Sequence, residues 1–334
     1  MQKINISLLL VIVISISSCT KKPTKFFNNE GLIFGTTYHI IYENDKDVHD
    51  AIRGKMNEFN LSLSTYDSTS VISKINRNED VELDDYFITV FNKAVEISGK
   101  TNGAFDITVA PLVNAWGFGF SKRDSISSEL IDSLLQFVGM DHVHISGEKV
   151  VKVNPGVMLD ASAIAKGYGV DVIADYLESI RVINYLVEIG GEIRVRGHNM
   201  RGISWHVGID KPIDDPKVLH RELQEIIEIT DGALASSGNY RNFYIKAGKK
   251  YAHTIDPKTG YPIQHELLST SVIASDCMTA DAYATAFMVL GLKRAKEIVE
   301  KTPNLEAYFI YRGEDSDTLS VLYTVGFGKL IVKE

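Results

Sequence analysis

The sequence predicts an α+β fold with mixed or antiparallel sheets and helices packed against them. Two observations favour this class: the predicted strands come largely in hairpins, and helices are scattered among them without the regular strand–helix–strand alternation of a doubly wound fold. The chain of 334 residues is long enough to bury a large core, so one large domain or two closely packed lobes fit its length.

The predicted helices combine apolar residues at helical spacing with residues that start or end a helix. In the first helix, Ile52, Met56 and Phe59 recur on one face. The second begins at the acidic residue Asp85 and ends near Gly99. In chain order the predicted helices span residues 48–61, 85–101, 127–138, 160–179, 279–290 and 292–302.

The predicted strands are short runs rich in β-branched and aromatic residues, bounded by glycine or polar turns. Single strands are predicted at residues 32–43, 185–189, 192–196, 205–210 and 268–274. Hairpins are predicted at residues 143–153 with a turn at Gly147, at 242–246 with 251–255, and at 307–311 with 320–326.

The first eighteen residues resemble a bacterial lipoprotein signal. Lys3 supplies a positive start, residues 6–17 form an apolar run too short to span a bilayer comfortably, and small residues precede Cys19. We therefore expect residues 1–18 to be a signal peptide, Cys19 to carry lipid, 19–30 to form a polar tether and 31–334 to form the folded domain. The expected location is exported, anchored to a bacterial membrane and facing the periplasm. A plain signal peptide or an uncleaved anchor is the alternative.

Composition narrows the classes of function. The chain carries 35 Lys and Arg against 43 Asp and Glu, a formal net charge of −8, and it has no basic block, which argues against binding nucleic acid. Cys277 is the other cysteine of the two, so lipidation of Cys19 would leave no internal disulfide, and a domain of this size does not need one.

A mostly apolar helix near the C terminus places Asp281 and Thr285 four residues apart, on one face and one turn from each other. Two oxygen donors of this kind suit Mg²⁺, which takes few protein ligands and completes its shell with water and phosphate. The alternative is that Asp281 complements the helix dipole and Thr285 bonds back to a carbonyl.

Three further segments carry candidate site residues. In LDASAIAKGYGVD, Asp160 or Ser162 would cap a helix, and Lys166 could meet a phosphate, although its small residues could equally serve helix packing. The glycine-rich residues 101–119 offer Trp116 and Phe118 to stack on a flat ring, or else form a core loop. In AHTIDPKTGYP, a stiff turn follows His253.

Taken together, these segments resemble the ApbE family of flavin transferases. The matching stretches, in order, are FGTTY, LSTYDSTSVISKIN, GAFDITVAPLVNAWGFG, LDASAIAKGYGVD, EIGGEIRVRG, SSGNYRNF, HTIDPKTGYP and SVIASDCMTADAYATAFMVLG. Each is weak alone, but eight in series are specific. The resemblance implies an ApbE-like, T-fold-like architecture.

The resemblance also implies an activity: Mg²⁺-dependent transfer of FMN from FAD to a Ser or Thr hydroxyl of an acceptor protein, with release of AMP. The implied acceptors are flavoprotein subunits of membrane redox complexes, of the Na⁺-translocating NADH:quinone reductase or Rnf type. The implied Mg²⁺ ligands are Asp281, Thr285 and the main-chain oxygen of Ala163. The implied FAD contacts are Phe34, Tyr66, Ala104, Phe105, Asp106, Asp160, Lys166 and Ile255.

His253 is the expected general base, because imidazole has a suitable pKa and the turn after it is rigid. Asp256 is expected to cap that turn rather than bind metal. The main alternative function is an FAD pyrophosphatase that gives FMN and AMP when water replaces the acceptor hydroxyl. A lipid-tethered flavin-storage protein and a purely structural lipoprotein are further alternatives, although storage would need neither a metal carboxylate nor a base.

Overall fold

The computed structural model describes residues 23–119, 126–215, 222–313 and 318–333. The predicted signal peptide and the predicted lipidation site Cys19 lie outside the described residues. Within the described ranges, none of the helices combines the length and the hydropathy required to cross a bilayer. Cys277, which falls inside them, is buried and free.

Strands supply most of the framework. They are β1 (Lys25–Ile33), β2 (Thr36–Asn44), β3 (Val143–Ser146), β4 (Lys149–Lys152), β5 (Tyr185–Ile189), β6 (Glu192–Arg196), β7 (Trp205–Asp210), β8 (Leu223–Ile229), β9 (Gly232–Gly238), β10 (Phe243–Lys246), β11 (Lys249–Ala252), β12 (Leu267–Ala274), β13 (Glu306–Arg312) and β14 (Leu319–Tyr323).

Helices lie before, between and after these strands. They are α1 (His49–Leu63), α2 (Val71–Asn76), α3 (Asp85–Lys100), α4 (Ala110–Ala115), α5 (Ser128–Leu135), α6 (Ala165–Ser179), α7 (Cys277–Val299) and α8 (Val325–Gly328), with a 3₁₀ turn at Met140–His142.

The largest sheet has eight strands in the order β1-β2-β5-β6-β9-β12-β13-β14, and each neighbouring pair is antiparallel. Helices α6 and α7 pack on one face, α6 against β5 and β6 and α7 against β9 and β12. On the other face, the β7–β8 hairpin and α8 cover a separate cluster that includes Trp205, Ile227 and Phe327. The predicted α+β class is confirmed.

Helices α6 and α7 approach each other closely because Gly167 has no side chain. A Cβ at Gly167 would lie 2.3 Å from the carbonyl oxygen of Cys277 and 2.7 Å from Cβ of Asp281. Asp171, one turn further along α6, accepts hydrogen bonds from the amides of Cys277 and Met278, at 2.9 and 2.8 Å. The two helices are therefore joined through backbone as well as through apolar packing.

Many element predictions are confirmed, including β5, β6 and β7 to the residue. The strand predicted at 32–43 was wrong, because residues 34 and 35 form a turn with positive φ that splits it into the β1–β2 hairpin. The same hairpin corrects the predicted tether at 19–30, since Lys25–Ile33 is a paired strand.

The start of one predicted helix also needs correction. The helix predicted at 160–179 begins at Ala165, and neither Asp160 nor Ser162 caps it, because the residue at its N-cap is Ile164. The helices predicted at 279–290 and 292–302 are confirmed as the two helical parts of α7, which begins at Cys277, ends at Val299 and is interrupted at Gly291, whose φ of 72° and ψ of 168° are not helical. A central strand, β9, was not predicted at all.

The close approach of α6 and α7 generates a stability prediction. Gly167→Ala should lower the free energy of unfolding by about 1–3 kcal/mol, because a Cβ forces backbone to move in a packed interior. Gly54→Ala is the matched control: Gly54 is exposed in α1 with nothing near its Cβ, so this change should raise stability by about 0.5–1 kcal/mol. Urea unfolding of both variants checks the pair, and equal stabilities would contradict it.

Candidate functional site

A cavity of about 430 Å³ opens where five segments of the chain converge. The segments are residues 104–118, residues 160–166 before and at the start of α6, the C-terminal end of β9 with residues 240–242, residues 253–257, and the middle of α7. Gly190, in the turn after β5, and Glu192, the first residue of β6, also line the cavity. The cavity therefore lies at one end of the sheet strands, over α6 and α7.

The structure brings most of the predicted site residues to this one cavity. Those that line it are Tyr66, Ala104, Phe105, Asp106, Asp160, Ala163, Lys166, His253, Ile255, Asp281 and Thr285. Phe34 is not among the lining residues; its ring packs against Phe59, with centroids 5.2 Å apart. Of the two predicted stacking rings, Phe118 lines the cavity, whereas Trp116 is buried in a separate cluster against Tyr251.

Asp281 and Thr285 lie on the cavity side of α7. Asp281 is buried, and its Oδ2 accepts a hydrogen bond of 2.9 Å from the amide of Gly167. The hydroxyl of Thr285 lies 3.3 Å from that of Ser237 on β9. The start of α7 is capped by other groups, Asp276 and Asp171, so its dipole does not require Asp281.

At the start of α6, the regular backbone hydrogen bonds are interrupted at the carbonyl of Ala163. Ala165 donates to Ala161 and Tyr168 donates to Ile164, but the amide of Gly167 donates to Asp281 instead of closing a turn onto Ala163. A carbonyl left out of such a series keeps its acceptor capacity for another partner. Because Ala163 lines the cavity, that partner can be a bound ion or ligand.

Lys166 and Glu192 form an ion pair of 2.5 Å at the floor of the cavity. Glu192 is 3% exposed, and its Oε2 has no hydrogen-bond partner among the described residues. Burial raises the pKa of Glu192, against the lowering effect of the Lys166 ammonium. Burial would lower the pKa of Lys166, but the carboxylates of Asp281 and Glu192 outweigh it and raise that pKa.

These donors fit a magnesium ion. The set holds a carboxylate, a hydroxyl and a carbonyl, all oxygen ligands of the kind that Mg²⁺ prefers, together with room for water or phosphate. Among the described residues, no group of three or more His, Cys, Asp and Glu side chains is placed to hold a metal ion.

His253 lines the same cavity and comes directly after β11. Its Nδ1 is 3.2 Å from the carbonyl oxygen of Asn242, and a carbonyl can only accept, so Nδ1 carries the proton of the neutral ring. This leaves Nε2 as the acceptor. Burial lowers the pKa of His253, and the Lys166 charge adds to that lowering against the effect of the Asn242 carbonyl. The ring therefore stays neutral at pH 7.

The turn after His253 is held as the sequence predicts. Asp256 Oδ1 accepts from the amide of Lys258 at 2.9 Å, which confirms its role as the cap of the turn. The amide of Gly260 donates to the carbonyl of Asp256, and the indole of Trp116 donates to the carbonyl of Gly260 at 2.8 Å. Trp116 thus fixes the turn rather than lining the cavity.

Asp106 and Asp160 line the cavity from two segments that are hydrogen-bonded to each other. Asp106 Oδ1 accepts from both the amide and the hydroxyl of Thr108, yet burial is the larger effect and raises the pKa of Asp106. The amide of Asp160 donates to the carbonyl of Ile107 at 2.7 Å, which joins the two segments. The Asp160 carboxylate is turned onto Ser162, so it shapes the loop before α6.

Sequence reasoning did not single out several residues that line the cavity, among them Glu192 and Ser237. Glu192 occupies an ordinary strand position in a Glu-Ile-Arg-Val-Arg run, and the signal that could have found it is the Gly190-Gly191 turn immediately before it. Ser237 belongs to the unpredicted strand β9. Ser237 lies next to Thr285 only because β9 pairs with β12 and α7 packs on both strands.

Comparison with known proteins gives consistent matches. The model of the ApbE family matches residues 34–309. A protein of Haemophilus influenzae named FAD:protein FMN transferase is 38% identical over 323 residues, or 92% of each chain. The FAD:protein FMN transferase of Vibrio cholerae is 40% identical over 291 residues, covering 84% of this chain and 86% of the relative.

Solved structures agree with the sequence matches. The flavin transferase ApbE from Vibrio cholerae has a TM-score of 0.82 and 36% identity, and the match covers 92% of this chain and 100% of that one. The flavinyl transferase ApbE of Pseudomonas stutzeri, in its apo form, has a TM-score of 0.81 and 30% identity, covering 92% of this chain and 97% of that one.

Proposed function

The chain belongs to the ApbE family, and on that premise we propose that it transfers FMN from FAD to a Ser or Thr hydroxyl of an acceptor protein, releasing AMP. Relatives at 38% and 40% identity carry the name FAD:protein FMN transferase. The observation that carries the proposal is that one cavity holds a cationic side chain, a set of oxygen donors and a neutral imidazole. Those are the groups that displacement at a phosphorus requires.

The donors for Mg²⁺ in this proposal are Asp281, Thr285 and the carbonyl of Ala163. When bound there, the ion supplies positive charge that offsets the diphosphate oxygens and the charge on departing AMP. Lys166 contributes a second cation from the same wall. The negative charges of Asp281 and Glu192 raise the pKa of Lys166 against the effect of burial, and the ion pair with Glu192 orients the ammonium that an entering anion meets.

His253 is the proposed general base. The acceptor hydroxyl oxygen forms a bond to the phosphorus of the FMN half, and the bond from that phosphorus to the oxygen of the AMP half breaks. The hydroxyl proton passes to Nε2 of His253, which is free because Nδ1 donates to Asn242. The turn after His253, which Asp256 and Trp116 fix, keeps the ring in place.

Location and partners are part of the same proposal. The sequence before Cys19 supports an exported lipoprotein anchored to a bacterial membrane and facing the periplasm. The proposed acceptors are flavoprotein subunits of membrane redox complexes, of the Na⁺-translocating NADH:quinone reductase or Rnf type, whose exposed domains such an anchor would bring within reach. FAD enters as substrate, and the Phe118 ring at the cavity offers a surface for stacking.

The direct test is incubation of the full chain with FAD, Mg²⁺ and a candidate acceptor domain, followed by mass spectrometry. The expected result is an acceptor heavier by one FMN on a Ser or Thr, with AMP released in equal amount. The control is the same acceptor with that residue changed to Ala. Release of free FMN and AMP with an unmodified acceptor would overturn transfer in favour of the pyrophosphatase, and unchanged FAD would overturn both.

His253→Ala should slow flavin transfer by roughly 10²–10⁴-fold, because the acceptor hydroxyl loses its proton acceptor. FAD binding, measured by fluorescence titration, should change little. In the unsubstituted protein, the transfer rate should be independent of this histidine's protonation above about pH 6.5 and should fall only when the pH is lowered further. The reason is that burial lowers the pKa of His253, and the base acts when unprotonated. His206→Ala, at an exposed position in β7, is the control. A normal single-turnover rate for His253→Ala would remove His253 from the chemistry.

Asp281→Asn should abolish the response of transfer to Mg²⁺, because it removes the one carboxylate among the proposed ligands. Calorimetric titration of the FAD complex with Mg²⁺ checks binding apart from turnover. Glu297→Gln, an exposed carboxylate change elsewhere on α7, should leave both measurements unchanged. A Mg²⁺ dependence of Asp281→Asn equal to that of the unsubstituted protein would contradict the ligand assignment.

A further inference from the structure

The described chain begins beside one particular end of the large sheet. Thr24 donates a hydrogen bond to Glu43, and Lys25 pairs with Asn44 at the start of the β1–β2 hairpin. Cys19 is five residues before Thr24, and five extended residues span at most about 17 Å. A lipid on Cys19 would therefore hold this end of the sheet close to a bilayer.

Two loops meet the chain at that same end. The amide of Glu43 donates to the carbonyl of Asn184 at 2.9 Å, and the Asn184 amide group donates to the Glu43 carboxylate at 2.7 Å. Oδ1 of Asn184 accepts from the amide of His198, also at 2.9 Å. The loop before β5 and the loop between β6 and β7 are thus hydrogen-bonded to each other, and the first of them to the end of β2.

Large apolar side chains point outward from these loops. Ile183 is 60% exposed, Met200 67% and Ile203 45%. Arg181 and Arg201 are exposed beside them. The second loop is closed by hydrogen bonds from Asn199 to Ile203 and from Gly202 to Asn199, so Met200 and Arg201 stand at its tip. Apolar tips flanked by cations are typical of surfaces that enter the headgroup region of a membrane.

We propose that this anchor face, defined as Lys25, Arg181, Ile183, Met200, Arg201 and Ile203, rests on the surface of an anionic lipid bilayer. The inference rests on the proposed lipidation of Cys19. Lys25, Arg181 and Arg201 give this face three exposed cations, which anionic lipids complement. Asp45, directly after β2, places a negative charge at the same end of the sheet. The Glu43 carboxylate accepts hydrogen bonds from Thr24 and Asn184.

The sheet then sets the height of the site above the membrane. Leu32, near the far end of β1, pairs with Thr37, whose carbonyl accepts from the amide of Gly190 at the cavity. Seven residues of strand separate Lys25 from Leu32, or about 23 Å at 3.3 Å per residue. The cavity opens at the end of the strands opposite to the anchor face, where an acceptor domain above the bilayer can reach it.

The test uses the full chain purified from membranes, with Met200→Cys labelled by an environment-sensitive fluorophore. Cys277 is buried, and a lipidated Cys19 cannot react. The matched control is Leu32→Cys, since Leu32 is 79% exposed at the other end of β1. In vesicles of phosphatidylethanolamine and phosphatidylglycerol containing brominated lipid, the label at 200 should be quenched severalfold more than the label at 32.

Equal quenching at the two positions, stronger quenching at 32, or none at either would overturn the proposal. Mass spectrometry of the same preparation reports whether Cys19 carries lipid, and an unmodified cysteine would also overturn it. If the emission of the label at position 200 shifts to the blue without lipid, and the shift grows with protein concentration, a second copy of the chain covers the face. That result also contradicts a membrane contact. Flavin transfer to a soluble acceptor is measured separately, so failure of the proposed chemistry is distinguished from failure of this orientation.

Discussion

The hydrogen bond from the Gly167 amide to Asp281 is the contact from which the rest of the site follows. It forms because no Cβ stands between α6 and α7, where the nearest atoms would lie within 2.3–2.7 Å of one. The same bond has two effects. It fixes the Asp281 carboxylate at the cavity, and it takes the amide that would otherwise close a helical turn onto Ala163, which leaves that carbonyl available.

The charged groups buried in the cavity do not balance one another. Two carboxylates, Asp281 and Glu192, are buried at the floor of the cavity, and isolated they would carry a large desolvation penalty. The Lys166 ammonium lies 2.5 Å from Glu192 and its pKa is raised by both acids. One ammonium does not satisfy both carboxylates, and Glu192 Oε2 keeps no partner among the described residues. A further cation therefore complements the site.

The limits of sequence reasoning follow from the same contacts. Strands β5 and β7 were predictable because buried apolar residues alternate with more exposed ones, and β6 because its short run with Ile193 and Val195 is bounded by glycine turns. Strand β9 was not, since Gly-Ala-Leu-Ala-Ser-Ser-Gly has little intrinsic strand preference and is extended only because it lies between β6 and β12. The start of α6 was misjudged because Asp160 hydrogen-bonds Ser162 locally rather than capping the helix.

For the site, the eight matching segments in their order predicted which residues meet at the cavity, but not which other residues line it between them. Phe34 and Trp116 are in matching segments yet serve packing, since a motif does not reveal which side chains of a turn face inward. Glu192 and Ser237 reach the cavity through the pairing of distant strands and the packing of α7, which sequence periodicity does not encode. In these four cases, strand pairing and helix packing determine whether the side chain reaches the cavity.

The proposed base and the proposed metal ligands belong to separate structural units, and this separation matters for the chemistry. Asp281 and Ala163 are fixed by the α6–α7 contact, whereas His253 is fixed by the Asn242 carbonyl and the turn that Trp116 holds. A carboxylate hydrogen-bonded to His253 would raise its pKa and favour imidazolium. A carbonyl orients the ring with a weaker effect, and burial keeps the pKa low. The cavity can thus concentrate positive charge around a diphosphate while its imidazole remains neutral and able to accept a proton.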